Sequence, residues 1–183
     1  MSRPALRCPG AQHRLRGTWL SPERRRADED VTRFRDVLGR FATGVTVVTA
    51  FQDGVPVGFT CQAFASLSLS PPMVALAPAK TSTSWPRMIE AGAFCVNILT
   101  EEQQAVSEVF GERRDDKFEG VPWHVGAAGT PVIDGSLAWV ECALAAVHDA
   151  GDHELVTGRV LELGVGEGSP LIFYRGGYGT FRL

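Results

Sequence analysis

The stretch VHDAGDHELVTGRVLEL, Val147–Leu163, decides how the chain is read, because it sets two histidines and two aspartates around a glycine within apolar sequence. It reads as a hairpin. Ala143–His148 runs into a four-residue turn, Asp149-Ala150-Gly151-Asp152, and His153 begins a second strand of alternating character. In that register the two histidines oppose each other on one face, with Cβ atoms about 4.5–5.5 Å apart. Such a pair could hold a metal, shuttle a proton or line a ligand cleft. No established ligand spacing accompanies it, so no metal is assigned.

Outward from the hairpin, short strands continue. VTVVTA (Val45–Ala50), then Gln52-Asp53-Gly54, then VPVGFT (Val55–Thr60) read as a second hairpin. PMVALAP, AFCVNIL, SLAWVECALAAVH, ELVTGRVLEL and LIFYRG supply further strands. Helices are few. Asp28 or Asp30 caps one whose apolar residues Val31, Phe34, Val37, Leu38 and Phe41 recur at helical spacing, with Gly44 as its stop. Ser82–Ala91 forms a helical turn with Pro86 placed early, and Thr100 with Gln103 makes a capping box that launches a helix to Gly111. Glu112–Gly129 reads as a loop anchored by Phe118 and Trp123. This balance predicts a mainly β fold, a closed or half-closed antiparallel barrel with a few flanking helices.

The chain has 183 residues, 44% hydrophobic and 21% charged, enough for one domain that buries its own core. Its four cysteines are widely spaced and form no C-x-x-C pair, which suggests neither a disulfide framework nor a zinc knuckle and suits a reducing cytoplasm. No apolar run approaches the roughly 20 residues of a membrane span, and no hydrophobic stretch follows the basic N-terminus as a secretory signal requires. Seven arginines against the one acid Glu23 fall within Met1–Arg26, a segment with no hydrophobic periodicity. Residues 1–30 therefore read as a disordered basic extension, and 31–183 as the folded domain. Basic residues in the body are scattered and not interleaved with aromatics, so nucleic-acid binding is not expected.

Two segments carry candidate chemistry. In GFTCQAFASLSLSPP, Gly58–Pro72, small and hydroxyl residues replace bulky apolar ones, so a flat heterocycle could approach the backbone; an edge strand with a polar outer face reads equally well. PAKTSTSW, Pro78–Trp85, puts one ammonium beside four hydroxyls just before a helix, a suitable seat for phosphate. Lysine is scarce: only Lys80 and Lys117 occur. Neither G-x-G-x-x-G opening a βαβ unit nor a P-loop is present, so a phosphate-bearing ligand is held another way.

On FATGVTVVT, PVGFTCQAFASLSLSPP, AKTSTSW, FCVNIL, DKFEGVPW, GDHELVTGRV and PLIFYRGGYG, in that order from about Phe34 to Gly179, the sequence resembles the short-chain flavin reductase-like proteins. These are the reductase components of two-component flavin-dependent monooxygenases. The resemblance implies an FMN-binding split β-barrel with Greek-key connections, a homodimer, and NAD(P)H-dependent reduction of FMN or FAD, with NADH favoured over NADPH. Reduced flavin would pass by diffusion to a monooxygenase acting on an aromatic or steroid-type substrate. Carried over by residue, Val57, Gly58, Phe59, Thr60, Gln62 and Ala63 would border the flavin ring and ribityl chain. Ala77, Pro78, Ala79, Lys80, Ser82, Thr83 and Ser84 would hold the phosphate side, and Phe110 would lie against the flavin. Gly151, Asp152 and His153 would form the nicotinamide side, His153 being the catalytic candidate. Arg175 and Tyr178 are weaker candidates at the cleft. Many relatives carry serine where this chain has Ala63. Two rival readings stand beside this one: a split-barrel oxidase that keeps its flavin for its own substrate, and a non-catalytic flavin-binding module.

Overall fold

A computed structural model describes residues 27–181. The arginine-rich segment ahead of Ala27, and with it the expected disorder, lies outside the described residues. Helix α1 (Ala27–Leu38) contains Asp28 and Asp30, so neither stands at a cap of the described helix. The helix ends at Leu38, short of Gly44, and Thr43–Gly44 forms strand β1, paired with Phe173 and Ile172. From Leu38 onward the chain is one compact unit.

Seven strands of that unit make one antiparallel sheet: β2 (Thr46–Gln52), β3 (Val55–Cys61), β4 (Phe64–Leu69), β5 (Pro72–Leu76), β6 (Ala93–Ile98), β9 (Ala138–Ala150) and β10 (His153–Val165). Their spatial order is β3-β2-β6-β9-β10-β5-β4. The two edges, β3 and β4, are consecutive in sequence, joined only by Gln62 and Ala63. A flat sheet would hold those edges six strand spacings apart, each about 4.8 Å. The sheet must therefore curl until its edges meet at Gln62-Ala63, which makes it a split barrel. Register shifts in the β9–β10 ladder, between Thr157 and Gly158 and between Val160 and Glu162, supply local bends.

Strand alternation fills two cores. Val48 and Ala50 of β2 point into one, with Phe94, Val96, Val156 and Trp85; Val45 and Val47 point the other way, to Leu99, Phe110, Ile133 and Leu171. Strand β11 (Leu171–Tyr174) pairs with β1 and with β12 (Gly177–Thr180), and β7 (Trp123–Val125) with β8 (Pro131–Ile133). The expected loop 112–129 thus holds one short strand, β7. Two small helices complete the unit, α2 (Trp85–Ile89) and α3 (Gln104–Gly111). Thr100 and Gln103 form the expected capping box at the 3-10 turn leading into α3.

The opening hairpin exists, with a different turn. β9 continues to Ala150 and only Gly151-Asp152 connects the strands, Gly151 taking a φ of 75° that glycine tolerates and other residues resist. His153 consequently pairs with Ala150, and His148 with Leu155, so the histidines do not oppose each other. The two-residue turn is what shifts the pairing.

Candidate active site

The two sheet edges, the start of α2 and the end of α3 enclose a cleft of about 350 Å³. One wall is Phe59, Thr60, Gln62 and Ala63; the next is Ala77, Pro78 and Ala79; Ser82 and Thr83 close the end, with Phe110 at the floor and His153 at the mouth. These eleven expected residues come from segments far apart in sequence. What brings them together is backbone pairing: Ala77 N–H donates to Ala63 O at 3.0 Å, Glu154 N–H to Pro78 O at 3.0 Å, and Ala79 bridges His153. Thr60 Oγ1 ties the wall to α3 by donating to Ser107 O at 2.6 Å.

His153 is oriented by its neighbour. Its Nδ1 lies 2.7 Å from Asp152 Oδ1, so the neutral ring keeps its proton on Nδ1 and leaves Nε2 as an acceptor; the protonated ring donates from both nitrogens. The hydrogen bond from His153, aided by the imidazole's charge, holds the Asp152 carboxyl below the usual carboxylate range. Asp152 itself stays in the turn and lines no part of the cleft.

Other expected residues lie elsewhere. Val57 and Gly58 are buried within β3. Lys80 pairs with the exposed Asp149 across the hairpin and does not enter the lining. Ser84 is 5% exposed, and its hydroxyl accepts a hydrogen bond from Lys117. Gly151 sits at the hairpin tip. Arg175 follows β11 at a φ of 50°, its N–H donating to Gly39 O. Tyr178 lines a neighbouring cleft of about 260 Å³ that shares Thr60, Gln62 and Gly111 with the first, and its hydroxyl meets Ser107 Oγ at 2.9 Å. Phe110 is fully buried, so it supports the floor from below and meets Phe118 edge-on at 4.9 Å.

Cys61, Thr81, Gly111, Glu112, Arg113 and Lys117 complete the lining and were not foreseen. For Lys117 a signal existed: it is one of two lysines and stands in DKFEGVPW. Nothing in that pattern says that the chain after α3 folds back to bury it.

The residues present fit a flavin. Gln62, Ser82 and Thr83 offer neutral donors suited to carbonyl, ring-nitrogen, hydroxyl and phosphate acceptors, and the volume lies within the range of small-ligand clefts, about 300–1,000 Å³. Among the described residues, no group of three or more His, Cys, Asp or Glu side chains is placed to hold a metal.

Comparison with known proteins agrees with this geometry. Residues 38–182 match the flavin reductase like domain. The chain is 53% identical over 150 residues to the reductase subunit HsaB of a flavin-dependent monooxygenase from Rhodococcus jostii, covering 81% of this chain and 77% of that one. It is 44% identical over 153 residues to the FMN reductase (NADH) SmoA of Agrobacterium fabrum, covering 84% and 87%. The crystal structure of a nitrilotriacetate monooxygenase component B homologue from Mycobacterium thermoresistibile superposes with a TM-score of 0.82 at 49% identity, over 85% of this chain and 88% of that one. From its sequence and its split barrel alike, the chain belongs to the flavin reductase-like family.

Proposed function

We propose that this protein is an NAD(P)H:flavin oxidoreductase that reduces FMN or FAD and releases the reduced flavin to a separate monooxygenase acting on an aromatic or steroid-type substrate. The observation that carries this reading is the single cleft in which a hydroxyl-lined wall, a small-residue edge and His153 converge. A bound flavin supplies the ring that accepts the hydride of the dihydronicotinamide. The chain's task is then to hold both rings in contact, to exclude water and to steer charge. Ala63, Ala77 and Ala79 leave the space for stacking, and His153, fixed by Asp152, presents Nε2 at the mouth. The relative named an FMN reductase (NADH) supports NADH as the donor.

The protein acts as a homodimer in the cytoplasm. Leu67 and Leu69 on β4, and Leu161, Leu163 and Val165 on β10, leave apolar surface in water that a second copy would cover. No helix among the described residues is long and apolar enough to cross a membrane. The test is steady-state oxidation of NADH by the purified chain with and without added FMN or FAD. Turnover is expected only with free flavin added. Turnover sustained by a flavin that stays bound, or no turnover at all, refutes the reductase reading.

A further inference from the structure

Lys117 is 5% exposed, and its ammonium donates to three neutral acceptors: Gly58 O at 3.2 Å, Ser84 Oγ at 3.3 Å and Phe110 O at 3.0 Å. These belong to β3, to the start of α2 and to the end of α3, the three elements that wall the cleft. Phe110 O is one of the carbonyls that a helix end leaves unpaired, where the helix dipole favours a cation. Its hydrogen bonds thus all run to neutral dipoles. Asp115, Glu112 and Arg87 are the charged groups around it, and among the described residues no carboxylate forms an ion pair with it. Burial pulls its pKa down from the ordinary lysine value.

The other cations near the cleft differ. Lys80 is matched by Asp149, and His153, when its ring is protonated, by Asp152. Arg113 is exposed at the rim, where salt screens a charge within about 10 Å at 0.1 M. Among the described residues only Lys117 combines burial, a place in the lining and dipolar neighbours, so its field reaches a ligand weakly screened.

Resting on the reading of this cleft as the flavin seat, we propose that Lys117, rather than Lys80, is the charge that makes the cleft select phosphorylated flavins over riboflavin. Its three protons are already bonded, so it acts by its field and by holding Ser84 in place, while the hydroxyls of Ser82 and Thr83 make the direct contacts.

The test measures FMN and riboflavin binding to the full chain by flavin fluorescence, for the wild type, Lys117→Met and Lys80→Met. Lys117→Met should lower the FMN-to-riboflavin affinity ratio by about tenfold or more, with riboflavin affinity within about twofold of wild type. Lys80→Met should leave the ratio within about twofold. Equal loss of both ligands in Lys117→Met makes the lysine a structural staple and overturns the proposal, as does a collapse of the ratio in Lys80→Met. Should Lys117→Met not fold, the wild type decides: a ratio that holds between about 50 and about 500 mM KCl supports a buried selecting charge, and one that collapses assigns selection to screened surface cations. If folded wild type takes up neither flavin, the seat reading itself fails; if it binds both and the ratio ignores Lys117, this inference alone fails.

Discussion

Asp152 and His153 show how little is needed at the residue scale to orient a side chain at a cleft mouth. One hydrogen bond of 2.7 Å engages Nδ1 of the imidazole and leaves Nε2 out of that contact. Because that bond lowers the Asp152 pKa in the folded chain, its small contribution to stability is present above the ordinary carboxylate value and fades as pH falls through the lowered one. His153→Ala should return the Asp152 carboxyl to its ordinary titration range, read by carbon NMR, and slow flavin reduction by NADH at least about tenfold in stopped flow with the fold intact. Unchanged hydride transfer would remove His153 from the reaction. The buried thiols make the opposite kind of case. Burial, the largest cause, pushes Cys61 up to about 11 and Cys142 to about 12, the latter aided by the Glu141 charge, and raises Cys95 further for the same two reasons. Thiols that stay protonated in the fold yet ionise near their ordinary 9.0 when unfolded favour the native state fully below that value and progressively less above it. Lys117, shifted down, offsets part of this in the alkaline range. Urea midpoints should therefore fall as pH rises from about 8.5 to about 10.5, and Cys142→Ala should flatten the slope.

At the scale of the element, the contact of β3 with α3 sets the floor of the cleft. Gly58 is there because the helix is close: an added Cβ would lie 2.8 Å from the Phe110 ring and 2.8 Å from Val48 O. The ring can give way, but the carbonyl belongs to the β2–β3 ladder and cannot. Gly58→Ala should cost about 1–3 kcal/mol in chemical denaturation and weaken flavin binding, because the displaced floor disturbs the Lys117 contact to Gly58 O. Full stability with normal binding would show that the floor is softer than this packing implies. β9 contributes a second local device. Glu141 is fully buried and accepts from Ala128 N–H at 3.1 Å, Thr130 N–H at 3.2 Å and Thr130 Oγ1 at 2.7 Å, pinning the turn before β8 to the sheet.

For the whole molecule, the exposed leucines of β4 and β10 give the proposed dimer a direct check. Leu69 is 91% and Leu163 70% exposed, so replacing both with glutamate costs the isolated fold little while charging the surface a partner would cover. Light scattering after size exclusion should report a dimer for the wild type and a shift to monomer for the double variant. A wild-type monomer would end the dimer reading.

Much of the element content was legible in the chain. β-branched runs around Asp53-Gly54 and Gly151 marked strands and turns, and Thr100 with Gln103 announced α3, because these signals act between near neighbours. Residue type and order also carried the family resemblance, and with it eleven residues of the cleft wall. Register was harder: the two-residue turn at Gly151-Asp152 carried β9 on to Ala150 and parted His148 from His153, because a change of turn length moves every pair along the ladder. Which of the two lysines lines the cleft did not follow from their places in the sequence. Lys80 lay beside the hydroxyls in sequence and went to Asp149, while Lys117, 33 residues from Ser84, came to its hydroxyl. Periodicity, capping and turn chemistry are local, so the amino-acid order alone determined them; the curl of the sheet and the burial of a charge depend on contacts between distant segments, which only the folded chain brings together.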